Sequence, residues 1–146
     1  MLSPNVRFES FLESADVIWI IGAGGIVFQS QRRGITPLLC YIHQTPSLEE
    51  EIVIFDKVTG NAAALLMKKA LCREVFSPIG SVPAAETLRG FGITSHFIET
   101  VPHIINREGS GMCPFETMSL GKSPDEFYEL VRHNPLFSDI FGGGDS

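Results

Sequence analysis

Two short segments concentrate the side chains able to do chemistry. The first is Asp56-Lys57-Val58-Thr59-Gly60-Asn61, set between a β-branched run and a small, apolar, alanine-rich run. A carboxyl, an ammonium and a glycine backbone this close together suit a ligand that carries negative charge. Lys57 and the backbone at Gly60 would hold a phosphate or carboxylate, with Asn61 beside them, and Asp56 would bind a hydroxyl or act as a base. The same residues also read as a helix-capping loop with a surface ion pair. The second segment is Gly109-Ser110-Gly111-Met112-Cys113-Pro114-Phe115-Glu116. Cysteine at an N-cap, followed by proline at the first helical position, puts a thiol in the positive field of a helix and favours thiolate. Cys113 is therefore a candidate nucleophile, and Glu116 a cap or a proton carrier. A capped helix beside a small, inert thiol is the plainer alternative.

Two other loops could share the same edge. Arg32-Arg33-Gly34 precedes a helix and offers Arg33 to a ligand; Ser77-Pro78-Ile79-Gly80-Ser81 follows a short strand and offers Ser77. Each also reads as ordinary turn chemistry. The cluster Gly22-Ala23-Gly24-Gly25 invites a dinucleotide-binding reading and fails it. Val27 stands where the third glycine belongs, the following residues are strand-like, and no acidic residue falls near the required offset, Leu39 to His43. His43, His96, His103 and His133 form no HxxxH or HxE motif and no pair with cysteine, so no metal is expected. There is no GxSxG elbow for a serine triad.

These residues need elements to position them. Arg7 to Ser14 has helical spacing of Phe8, Phe11 and Leu12. Val17 to Ile21 and Ile26 to Gln31 are strands joined by the glycine turn, hence an antiparallel hairpin. A helix starts with Thr36 as N-cap and Pro37 behind it. Glu51 to Phe55 is a third strand and Asn61 to Leu71 a helix able to lie flat on a sheet. Glu74 to Phe76 is a short fourth strand, Ser81 to Arg89 a helix, Ser95 to Val101 a fifth strand. A short helix follows from Cys113-Pro114, and Ser123-Pro124-Asp125-Glu126 opens the last helix with a capping box. A hairpin followed by alternating helix and strand requires a mixed sheet. The expected fold is α/β, a three-layer α/β/α sandwich on a five-stranded mixed sheet, one domain over residues 1–141 with a disordered tail at 142–146.

The bulk composition narrows the partners. At 146 residues, 44% hydrophobic and 19% charged, the chain can bury a full core. A net charge of −6 disfavours nucleic acid or an anionic membrane as the main partner. The longest purely apolar run, Val17 to Ile21, is far short of a membrane span. The first residues lack the pattern of a signal peptide, and three cysteines without CxxC spacing suit reduced thiols, so a cytoplasmic location is expected.

Three motifs then resemble one family. Asp56-Lys57-Val58-Thr59-Gly60-x-Ala62-Ala63-Ala64-Leu65-Leu66, Pro102-x-Ile104-Ile105-Asn106-Arg107 and Gly111-x-Cys113-Pro114-x-Glu116 occur in the order seen in a bacterial domain family of unknown function, number 1893. The likeness runs from about Val17 to about Met118. It implies a cytidine-deaminase-like fold, in which true deaminases hold zinc between two helix N-termini through HxE or CxE and PCxxC motifs. The matching helix starts here are Ile35-Thr36-Pro37 and Gly60-Asn61-Ala62, which carry no ligand, and Cys113-Pro114 reverses the Pro-Cys order. The resemblance thus implies a cleft without metal or cofactor, relined by Arg33, Asp56, Lys57 and Asn61, with Cys113 and Glu116 nearby. A small anionic metabolite, such as a nucleotide-like one, is the expected ligand. The rival expectations are a thiol-dependent enzyme using Cys113, with Asp56 or Glu116 as proton carrier, and a non-catalytic regulatory or interaction domain.

Overall fold

The computed structural model describes residues 6–46, 48–106 and 109–142. The elements follow in the order α1 (Phe8–Glu13), β1 (Ile18–Gly22), β2 (Gly25–Ser30), α2 (Thr36–Gln44), β3 (Ile52–Asp56), β4 (Val58–Thr59), α3 (Asn61–Lys69), β5 (Cys72–Ser81), α4 (Val82–Gly90), β6 (Thr94–Val101), α5 (Pro114–Ser119), α6 (Pro124–Arg132) and α7 (Ser138–Phe141). β1 and β2 form the antiparallel hairpin, and β1 also pairs antiparallel with β3. β3, β4 and β6 all pair parallel to β5. The sheet is therefore mixed, with β1 antiparallel to the strands on either side of it.

Alternation along the strands sorts the core into two clusters. Ile18, Ile20, Ile52, Ile54 and Val75 face the larger one, with α2, α3, α4 and α6 packed over them. Ala62, Ala63 and Ala64 let α3 lie close to the sheet, as their size suggests. On the other face, Ile21, Val53 and Phe55 meet Phe11 of α1, with Phe8, Trp19 and Phe76 around them. Among the described residues that second face carries α1 alone, so the expected third layer is one short helix. Its aromatic rings do the covering: Phe8 and Phe11 lie 5.2 and 5.8 Å from Phe55.

Several boundaries differ from expectation, each for a local reason. β5 runs from Cys72 to Ser81 and absorbs the segment read as a loop after Phe76. Its ladder with β6 keeps one register on both sides of Pro78, pairing Ser77 with Phe97 and Ile79 with Glu99, so the proline does not end the strand. Val58 and Thr59 add a short sixth strand that pairs with Ile79 and Gly80 of β5. At α2 the cap position is Ile35, not Thr36, and no side chain caps the helix. The capping box of α6 is formed as expected: Ser123 Oγ accepts from Glu126 N at 3.1 Å, and Ser123 N donates to Glu126 Oε1 at 2.9 Å. A 3-10 turn over Pro135–Phe137 and helix α7 extend the chain's end, and Gly142 closes α7 in the left-handed region at φ 90°. Residue 142 thus belongs to the folded domain, and the remainder of the expected tail lies outside the described residues.

Candidate functional site

Asp56 ends β3, and the alternation that sends Ile52 and Ile54 into the larger core sends Asp56 the same way, towards the start of α3. Only 4% of it is exposed. Thr59 Oγ1 donates to its Oδ2 at 3.2 Å. Burial pushes the carboxyl up to about 7, against the opposing pull of the Thr59 hydroxyl and the Val58 and Lys57 backbone N–H groups. Asp56 is thus a group able to hold or release a proton near neutrality.

Gly60 stands at the N-cap of α3, where the first amides have no partner within the helix. Those amides are met by a protein carboxylate from far along the chain. Glu116 Oε2 accepts from Asn61 N at 2.7 Å and Oε1 accepts from Ala62 N at 2.9 Å. A Cβ at residue 60 would come within 2.5 Å of the Glu116 carboxyl, so glycine is what lets it approach. The anion position expected for a ligand at Gly60 and Asn61 is therefore filled by Glu116. The Asn61 side chain is also committed: its Nδ2 donates to Ser119 Oγ at 2.9 Å, and its Oδ1 accepts from the Thr87 hydroxyl. Gly60 gives the Glu116 carboxylate room, and the Asn61 donors are committed within the protein, where they tie α3 to α5.

Lys57 departs further from expectation. Its Nζ donates to the carbonyls of Ser14 and Asp16, each at 2.8 Å, and sits 4.7 Å from the centre of the Phe11 ring. The ammonium points to the α1 face and fastens α1 to the sheet, because two carbonyls and an aromatic face attract it there. It is not an anion contact. Ser77 is corrected too: it is fully buried, and its hydroxyl donates to the Ile79 carbonyl at 2.8 Å. That bond satisfies the hydroxyl within β5, and Ser77 is not part of the cleft that the other candidates line.

A cleft of about 440 Å³ nevertheless unites most of the expected set. Arg33, Asp56, Gly60, Cys113 and Glu116 all line it, together with the backbone region of Lys57. Asp56, Gly60 and Glu116 form its buried floor, while Arg33 and Gly34 lie in its exposed rim. Cys113 is half-buried, at the N-cap of α5, and its thiol makes no capping hydrogen bond. Its carbonyl accepts from Glu116 N and Thr117 N at 2.9 and 3.2 Å, so the Cys-Pro segment does start the helix. Ile104, Ile105, Asn106 and Phe115, none of them among the candidates, form much of the outer wall. Phe115 lies between Pro114 and Glu116, and the other three stand in the Pro102-x-Ile104-Ile105-Asn106 motif. That stretch is turned back along the cleft by an antiparallel bridge between Ile105 and Met112.

The molecule so defined is an open mixed α/β sheet with a cleft at the C-terminal end of β3, the usual place for a ligand in such sheets. The model of the family described as "Domain of unknown function (DUF1893)" matches residues 7–134, and the chain belongs to that family. The chain is similar in structure to a DUF1893 family protein from Thermotoga maritima, TM1506. The two are 25% identical, with a TM-score of 0.75, over 84% of this chain and 83% of that one. No curated protein matches by sequence. Among the described residues, no helix is long and apolar enough to cross a membrane.

Proposed function

We propose that this chain is a deaminase-like domain that works without zinc and binds a small anionic metabolite, of the nucleotide-like class, in the cleft beside Asp56. The observation that carries this reading is one cleft holding both a buried, titratable Asp56 and the rim cation Arg33. Arg33 lies two residues before Ile35, the N-cap of α2, and both residues line the cleft. The size suits a mononucleotide-sized ligand. The deaminase-like assignment is supported by the hairpin start, the single antiparallel strand and two helices, α2 and α3, that begin at the cleft.

The residues present do not fit a zinc ion. Of the donor side chains in the lining, Glu116 gives both oxygens to the amides of α3, leaving Asp56 and Cys113. Among the described residues no group of three or more His, Cys, Asp or Glu is placed to hold a metal. The chemistry derived for the chain is therefore its own: Arg33 holds the anion, Asp56 takes or gives a proton, and the apolar wall excludes water. The test is thermal-shift screening against nucleotides and phosphorylated metabolites. A ligand-induced rise in Tm that disappears in Arg33→Ala supports the reading, and no shift across a broad panel removes it.

A second reading rests on Cys113, which shares the cleft with Asp56. In a thiol-dependent enzyme Asp56 would accept the thiol proton while sulfur attacks an electrophilic carbon. Glu116 is unsuited to that task because both its oxygens already hold α3. Rates of iodoacetamide labelling at Cys113 measured against pH decide this; an apparent pKa near the ordinary ~8.5 of a thiol counts against it.

A further inference from the structure

Floor and rim of the cleft carry opposite charge. The buried lining presents two carboxyls, Asp56 at 4% and Glu116 at 6% exposure, whereas the cation Arg33 lies in the exposed lining. The cation expected next to Asp56 is elsewhere, since Lys57 Nζ bonds the Ser14 and Asp16 carbonyls on the α1 side. The Glu116 charge is met by the Asn61 and Ala62 amides, which occupies the N-terminus of α3. Among the described residues, a phosphate or carboxylate pushed to the floor would find no free cation and two buried acidic groups. An N–H group would find the reverse. Asp56 has lost most of its hydration, and a donor brought to it forms a charge-assisted hydrogen bond shielded from water. Ala62, Ala63, Ile104 and Phe115 add an apolar lining that suits a carbon skeleton or ring.

Building on the anion-site reading above, we infer that the ligand is an ampholyte held in one direction: its anionic group at Arg33 on the rim, and a compact N–H donor, an amine, amidine or ring amino group, at Asp56 on the floor. Cleft polarity then selects among anions of equal charge by what they carry at the far end. A carbonyl in place of the amino group would set one acceptor against another.

Matched pairs test this. Calorimetric titration at pH 8 compares cytidine with uridine monophosphate, adenosine with inosine monophosphate, and phosphoethanolamine with ethyl phosphate. In at least one pair the amino-bearing member is expected to bind tenfold or more tightly, with the preference falling below twofold in Asp56→Asn. Arg33→Ala should weaken both members of that pair by a similar factor. Equal affinities within every pair that binds overturn the proposed polarity while leaving the anion site standing. If no member of any pair binds, the anion-site reading falls, and the polarity with it. The wild-type comparison needs no variant, so poor folding of Asp56→Asn cannot rescue the idea.

Discussion

Glu116 and Asn61, 55 residues apart, are joined where the Glu116 carboxylate accepts the Asn61 amide at 2.7 Å and the neighbouring Ala62 amide at 2.9 Å. A buried carboxylate on two amides at a helix N-terminus combines a cap with a favourable dipole interaction. Glu116→Ala leaves both amides buried without a partner and should cost about 2–4 kcal/mol of stability in chemical denaturation. Gly60→Ala drives a Cβ to 2.5 Å from that carboxyl and should cost about 1–3 kcal/mol. In the Glu116→Ala background the same alanine should cost almost nothing. Additive losses in the double variant would show that the two residues do not meet.

Lys57 separates a fastening role from a ligand role. Its ammonium holds the Ser14 and Asp16 carbonyls, so Lys57→Met should lower stability by about 1–2 kcal/mol. Any ligand-induced thermal shift should persist in that variant. A shift abolished by Lys57→Met in a folded protein would return the ammonium to the binding site.

Much of the fold was legible because local signals agreed with it. The β-branched, apolar runs of β1 and β3, the alanine face of α3 and the Ser123 box each determine their own element without help from distant residues. The site was half legible. Motif order pointed to Asp56 and Cys113, and the cleft does hold both. What could not be read was the choice of partner among groups remote in sequence. Nothing near Lys57 announces that Ser14 and Asp16 will present carbonyls to it, 43 and 41 residues away. Nothing near Gly60 announces Glu116. Both are electrostatic pairings that arise only once α1 and α5 have packed. β5 was truncated for a different reason: Ser-Pro-x-Gly is turn chemistry in isolation, and the ladder with β6 overrides it.

Arg33 is exposed and extends from the loop ahead of α2 into the rim of the cleft. Arg33→Ala should alter stability by no more than about 0.5 kcal/mol, as surface substitutions generally do. It should remove the thermal shift produced by an anionic ligand. Retention of the full shift would place the anion elsewhere on the molecule.

The cysteines should differ in reactivity for reasons of burial. Cys72 is buried, its thiol donates to the Glu74 carbonyl at 3.2 Å, and burial pushes it up to about 12. It should stay unlabelled by iodoacetamide in the native protein, with Cys113 and Cys40, both half-buried, labelled first. A ligand in the cleft should slow labelling at Cys113 and leave Cys40 unchanged, as read by peptide mass spectrometry. Equal protection of both would indicate a global stiffening in place of an occupied cleft.

Asp56 gives stability a pH dependence whose sign follows from its environment. Its carboxyl titrates near 3.8 in the unfolded chain and at about 7 when buried, so the folded state binds this proton more tightly. The contribution to stability is therefore fully present below about pH 4 and declines as pH rises through about 7, where the buried group must ionise. Asp56→Asn removes the titration and should flatten that limb. Relative to wild type, the variant should gain stability between pH 4 and pH 8, by an amount on the order of several kcal/mol at the upper end. Urea denaturation of both proteins across that range gives the difference directly. A constant difference from pH 4 to pH 8 would mean that the Asp56 proton is held no more tightly in the fold than in the open chain, and Asp56 would lose its standing as a neutral-range proton carrier.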